Sequence, residues 1–157
     1  MVLLALDPGT EYTGVAFLAE ARIVALKVSN EAALEYVKTL GDTCGTVVIE
    51  EFAGFGMNVG QSTFTACRWA GRFEQAALDT GATVVLVKRK QIVRHFTGTN
   101  RGGDTQVRRA LTERYGSRGT SAERGPFFYV QGNSDSWSAT ALAIYVYEQQ
   151  NNRRWLS

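Results

Sequence analysis

The chain has 157 residues, 45% hydrophobic and 20% charged, with a formal net charge of +2. This suits one globular domain over residues 1 to 157 with a single substantial core. No apolar run approaches the roughly 20 residues a membrane span needs, and residues 1 to 6 lack the basic segment and cleavage site of a signal peptide. No membrane partner is therefore expected. Cys44 and Cys67 fall in no metal-ligand pattern and read as reduced thiols, which points to a cytoplasmic setting.

Residues 2 to 7 open the chain as an apolar strand that runs into Asp7, where Pro8-Gly9 forces a turn. Apolar residues on both faces predict a central strand, so Asp7 sits at the edge of a core. A charge held there costs desolvation energy unless a metal ion or a basic side chain offsets it. Residues 12 to 19 and 21 to 28 read as two further strands of an antiparallel meander. Asn30 is placed as the cap of a helix that Gly41 stops. Residues 46 to 49 form a β-branched run of the kind buried in a parallel sheet, and this run also ends in acids, Glu50-Glu51.

A long helix fits residues 61 to 78, with Trp69, Ala70, Phe73, Ala76 and Ala77 on its apolar stripe. Residues 82 to 87 read as another buried strand, followed by a short basic helix over 89 to 96. Asp104 is placed as the N-cap of a helix through Tyr115, and residues 117 to 132 look irregular. Asn133 or Ser134 caps the last helix, and the polar tail from residue 151 is expected to fray. These elements predict an α/β fold: a mixed five-stranded sheet flanked by helices, with a right-handed crossover that sets the strand ending at Glu50 beside the strand ending at Asp7.

Charge is unevenly distributed. Residues 88 to 124 carry ten basic side chains against three acids, whereas residues 1 to 60 carry eight acids against three basic side chains. A nuclease would use such a division to separate grip from chemistry; solvated helix surfaces would produce it too. Asp135 lies in the first turn of the last helix, where the helix dipole favours its ionised form. Asp7, Glu50 and Asp135 are thus three carboxylates able to converge on Mg²⁺, or Mn²⁺ in its place.

Asp7-Pro8-Gly9-Thr10 with Thr13-Gly14, Val48-Ile49-Glu50, Val87-Lys88 with Ile92-Val93, Gln106-Val107 and Ala141-Leu142-Ala143-Ile144 together resemble the RuvC family of Holliday-junction resolvases. The resemblance covers nearly the whole chain and rests on the order and spacing of motifs that are individually weak. It implies a ribonuclease H-like fold, a homodimer, and metal-dependent cutting of four-way or other branched DNA. It assigns Asp7, Glu50 and Asp135 as metal ligands and catalytic residues, and hydrolysis with two divalent ions about 4 Å apart. The family has a second acidic or histidine position in the last helix. Here Ser138 stands there if helix starts are aligned; aligning on Ala141-Leu142-Ala143 puts Trp137 and Thr140 at the two positions. The fourth ligand is therefore left open among Ser138, Thr140 and Glu51. The resemblance also makes Lys88, Arg89, Lys90, Arg94, Arg101, Arg108 and Arg109 candidates to grip phosphates, and Phe52 or Phe55 a candidate to act against junction bases. The departure in the last helix suggests a phage-encoded member, acting in a bacterial host's cytoplasm.

Each assignment has a simpler rival. Asp7 would also serve as an Asx-turn residue, Glu50 or Glu51 as an exposed strand-end charge, and Asp135 as an ordinary N-terminal helix acid, each the less favoured reading. Phe52 and Phe55 fit a core, and Trp69 and Phe73 a core or a dimer contact. His95 sits in a basic helix with no acid beside it in sequence and is not read as a ligand. Another ribonuclease H-like nuclease acting on RNA or flaps, or a junction-binding protein that cuts weakly, would use the same residues. A sugar kinase or chaperone-type ATPase also opens with an Asp-x-Gly turn but needs a much longer chain.

Overall fold

Alternation along the first strand sets the layers of the molecule. In the computed structural model, which describes residues 2–53 and 58–157, β1 (Val2–Asp7) sends Leu3 and Ala5 to one face and Leu4 and Leu6 to the other, all fully buried. β2 (Tyr12–Ala19) and β3 (Arg22–Ser29) continue as antiparallel neighbours. After α1 (Asn30–Cys44), β4 (Gly45–Glu51) returns parallel to β1 on its other side. α2 (Gln61–Asp79) then leads to β5 (Thr83–Lys88), parallel to β4, giving the order β3-β2-β1-β4-β5. The mixed five-stranded sheet expected from the sequence is present.

α1 and α2 cover one face, where Ala33, Val37, Phe73 and Ala77 meet Leu4, Leu6, Val47 and Ile49. The other face is covered by α3 (Arg89–Thr97), α4 (Asp104–Tyr115) and α5 (Ser134–Asn151). α5 is enclosed from Ser136 to Ile144, so its sequence shows no apolar stripe against a polar one. Among the described residues, no helix is long and apolar enough to cross a membrane.

Several local expectations are corrected. Ser29, not Asn30, caps α1: its hydroxyl accepts from the Ala32 amide at 3.1 Å, while Asn30 turns inward. α1 passes through Gly41, where a side chain would collide with Thr80, and stops at Gly45, whose φ of 75° suits glycine. β5 lies at the sheet edge with Leu86 41% exposed, so its apolar run is half-covered and not buried. Gly103, not Asp104, is the N-cap of α4, and Asp104 is the first helical residue. Asn133 is the cap of α5, accepting from the Ser136 amide at 2.9 Å. The tail does not fray as a whole. Trp155 is fully buried against Tyr115 and Phe127, and its indole N–H donates to the Glu20 carbonyl at 2.6 Å.

The segment between α4 and α5 has little regular structure yet is held down. The Ala25 amide donates to the Tyr129 carbonyl at 3.1 Å and the Gln131 amide to the Ala25 carbonyl at 2.9 Å, which covers part of the β3 edge.

Candidate functional site

The parallel register of β1 and β4 runs from Val2 opposite Gly45 to Leu6 opposite Ile49. Asp7 and Glu50 are the next step along, and their carboxyl groups hydrogen-bond each other at the C-terminal ends of two central strands. Burial holds the Asp7 carboxyl well above the usual carboxylate range. The charge of Glu50 and the hydrogen bond to it push the same way, Arg89 pulls it down, and Asp135 adds a smaller upward push.

The turn after Asp7 is fixed by one side chain. Asn30 is buried, donates to the Gly9 and Thr10 carbonyls at 3.0 and 3.1 Å, and accepts from the Thr13 hydroxyl at 2.6 Å. Sequence reasoning gave Asn30 only a capping role. Its distance from the turn in sequence hid the contact.

Arg89, the first residue of α3, reaches back over the acids. Its Nε lies 3.9 Å from Glu50 Oε1, its Nη2 pairs with Asp104 Oδ1, and its Nη1 is buried without a hydrogen-bond partner among the described residues. A cleft of about 200 Å³ opens beside the pair, walled in part by Glu51, Phe52, Cys67, Lys88 and Lys90. Phe52 is 54% exposed on that wall, whereas Phe55 lies outside the described residues. Both cysteines are free, Cys44 buried and Cys67 exposed.

Asp135 is close enough to act on Asp7 electrostatically but is turned to another partner. Lys27 Nζ stands 3.2 Å from its carboxylate and 4.9 Å from the Tyr12 ring centroid. Close approach of α5 to β2 sets this position: a Cβ on Gly14 would meet the Asp135 backbone. Among the described residues no group of three or more His, Cys, Asp or Glu side chains is gathered as a metal site. The structure thus joins Asp7 to Glu50 and leaves Asp135 beside Lys27.

Of the candidates for a further ligand, Thr140 is buried and donates to the Ser136 carbonyl at 2.8 Å. Ser138 borders a second cleft with Ser134, Trp137, Arg89, Asp104 and Arg108, and Glu51 is exposed on the first. Arg108 lies over the Trp137 ring, 4.5 Å from its centroid. Lys88, Lys90, Arg94, Arg101, Arg108 and Arg109 are exposed along β5, α3, the loop after it and α4. His95 does have an acid beside it: Glu148 of α5, buried, with Oε2 2.5 Å from Nε2 and 3.3 Å from Arg114 Nη1. That pair ties α3 and α4 to α5 and takes no part in the Asp7 cleft. Sequence reasoning missed Asp104 and Lys27 as partners of the site. In the structure the β4–β5 register sets Lys88 opposite Glu51, which brings the next residue, Arg89, near the acids.

No protein-family model matches the sequence, and no curated protein matches it. Solved structures do share its architecture. Thermus thermophilus RuvC aligns over 99% of both chains at TM-score 0.66 with 16% identity. T. thermophilus RuvC in complex with a Holliday junction substrate aligns over the same shares at 0.63 with 18% identity. The yeast mitochondrial Holliday junction resolvase aligns at 0.55 with 9% identity, over 90% of this chain and 75% of its own. The order of strands, the crossover between β1 and β4 and these alignments together establish that the chain has the ribonuclease H-like fold.

Proposed function

We propose that the chain is a metal-dependent endonuclease that cleaves Holliday junctions or other branched DNA. The observation that carries this reading is the Asp7–Glu50 pair, two carboxyl groups in contact at the ends of central strands. Two such groups resist ionising together, and a hard divalent cation with oxygen ligands relieves that conflict. The donor set therefore fits Mg²⁺ or Mn²⁺, with Asp7 and Glu50 holding the ion and Asp135 as the third carboxylate. When bound, such ions polarise a phosphodiester and lower the pKa of an attacking water.

The chain's own residues supply the rest. Asn30 fixes the backbone after Asp7, and the exposed row from Lys88 through Arg109 grips phosphates, setting position and affinity with little sequence information. Phe52, exposed on the cleft wall, is placed to stack on an unpaired base. A homodimer is part of the proposal, with the exposed Phe64 and Leu78 of α2 as apolar surface available to a second copy. So is a phage-type origin, on the departure in α5. A second reading, a junction-binding protein that cuts weakly, draws on one observation: Asp135 is ion-paired with Lys27.

The test is cleavage of labelled four-way junction, flap and linear duplex with Mg²⁺ or Mn²⁺, alongside Asp7→Asn. Paired nicks in the junction that vanish in Asp7→Asn are the expected result. Equal cutting of flaps would broaden the activity, and tight junction binding without cutting in either metal would overturn the enzyme in favour of the binding protein.

A further inference from the structure

Arg89 has two acids to choose between. Its Nε stands 3.9 Å from Glu50, beyond hydrogen-bond length, whereas its Nη2 pairs directly with Asp104 at the start of α4. Glu50 is the more enclosed acid, its side chain 14% exposed against 60% for Asp104. A guanidinium gains more from an enclosed carboxylate than from a solvated one, because water screens the latter. Without Asp104 the same side chain, 30% exposed and with Nη1 still unpartnered among the described residues, would move onto Glu50.

We infer that Asp104 is a positioning residue that holds Arg89 off Glu50, so that Arg89 is a displaceable counter-ion competing with the divalent cation for that carboxylate. This rests on the metal reading above but concerns a contact that reading does not use. Arg89 borders both clefts and Asp104 only the second, so the ion pair spans the ridge between them.

The test measures Mn²⁺ binding to the DNA-free protein, by the electron paramagnetic resonance signal of unbound Mn²⁺, in the parent, Asp104→Asn, Arg89→Gln, the double variant and Asp7→Asn. Asp104→Asn is expected to weaken binding roughly threefold to fivefold, the size of a partly exposed ion-pair contact. Arg89→Gln is expected to tighten it, and Asp104→Asn to have no effect in the Arg89→Gln background. A long-range field effect of the lost charge would instead give the same weakening in both backgrounds and would overturn the inference, as would an unchanged affinity in Asp104→Asn. Failure of the metal reading is recognised separately: the parent, Arg89→Gln and Asp7→Asn would then all bind Mn²⁺ equally poorly, and the inference would fall with it. Thermal melts of each variant establish that all are folded.

Discussion

Gly14 links the fold to the site most directly, and Gly14→Ala is the most informative single change. Gly14 pairs with Asp7 across β1 and β2, and an added Cβ would lie 2.6 Å from the carbonyl carbon and 3.3 Å from the Cα of Asp135. Carbon atoms prefer about 3.5–4.0 Å, so the start of α5 must retreat by about 1 Å. Overpacking of this kind costs about 1–3 kcal/mol, partly offset by the roughly 0.4–1 kcal/mol that Gly→Ala gains by restricting the unfolded chain. The net loss of about 1–2 kcal/mol corresponds to a melting temperature lower by about 2–8 °C for a chain of this size. A 1 Å misplacement of a reacting group can cost about 100-fold in rate, so junction cleavage is expected to fall by about that factor while the protein remains folded. The assays are a thermal melt and single-turnover cleavage on one preparation. An unchanged melting temperature would refute the packing argument. A lowered melting temperature with cleavage within twofold of the parent would refute the claim that the seat of α5 on β2 sets the site.

Asn30→Ala removes the partner of the part-buried Gly9 and Thr10 carbonyls and of the buried Thr13 hydroxyl; at about 1–3 kcal/mol for the stranded hydroxyl and about 0.5–1.5 kcal/mol for each carbonyl hydrogen bond, a loss of roughly 2–6 kcal/mol in unfolding free energy is expected from urea titration. Trp155→Ala is expected to cost about 3–5 kcal/mol by the same measurement, and a loss below about 1 kcal/mol, the range of ordinary surface changes, would mean the tail is not anchored by this ring. Asp7→Asn is expected to abolish cleavage yet raise the melting temperature of metal-free protein at neutral pH. The sign follows from the raised carboxyl: between the ordinary carboxylate range and the folded value, the folded chain keeps a proton the unfolded chain has lost. Asp7 therefore makes stability fall as pH rises through that window, and asparagine removes the slope. Melts in chelator across acidic to neutral pH test this, and a parent curve no steeper than that of Asp7→Asn would refute it.

The parts of the fold that were legible in the sequence are those governed by near neighbours. β1 and β4 carry unbroken apolar runs because they lie inside the sheet with both faces covered, and each run stops at an acid on the border of the core. The same reasoning misread β5, whose Thr83–Lys88 run has the composition of an interior strand but lies at the edge. Composition reports what a face can bury, and the presence of a neighbour strand is a property of the whole sheet. His95 seemed to lack an acid because Glu148 is 53 residues away, and the tail seemed loose because its buried anchor, Trp155, reaches a carbonyl 135 residues earlier. In the site, the meeting of Asp7 and Glu50 follows from one crossover. The reach of Arg89 and the turn of Asp135 toward Lys27 depend on side-chain directions that no periodicity encodes.

Burial that raises the Asp7 carboxyl is a consequence of where β1 sits, and a mobile surface acid would not experience it. At an edge such as the end of β5, water would reach the group and the upward push from desolvation would lapse. The fold answers the cost with side chains from opposite borders of the sheet: Arg89, just beyond β5, faces Asp7 and Glu50, and Lys27, on β3, faces Asp135. The Lys27–Asp135 pair is partly exposed, the Arg89–Glu50 approach is long at 3.9 Å, and neither joins all three acids. Such long or partly exposed pairs contribute little to stability individually, so under the metal reading proposed above a divalent cation would displace them at little cost to the fold. Asp7 and Glu50 thus share Arg89, while Asp135 is compensated separately by Lys27.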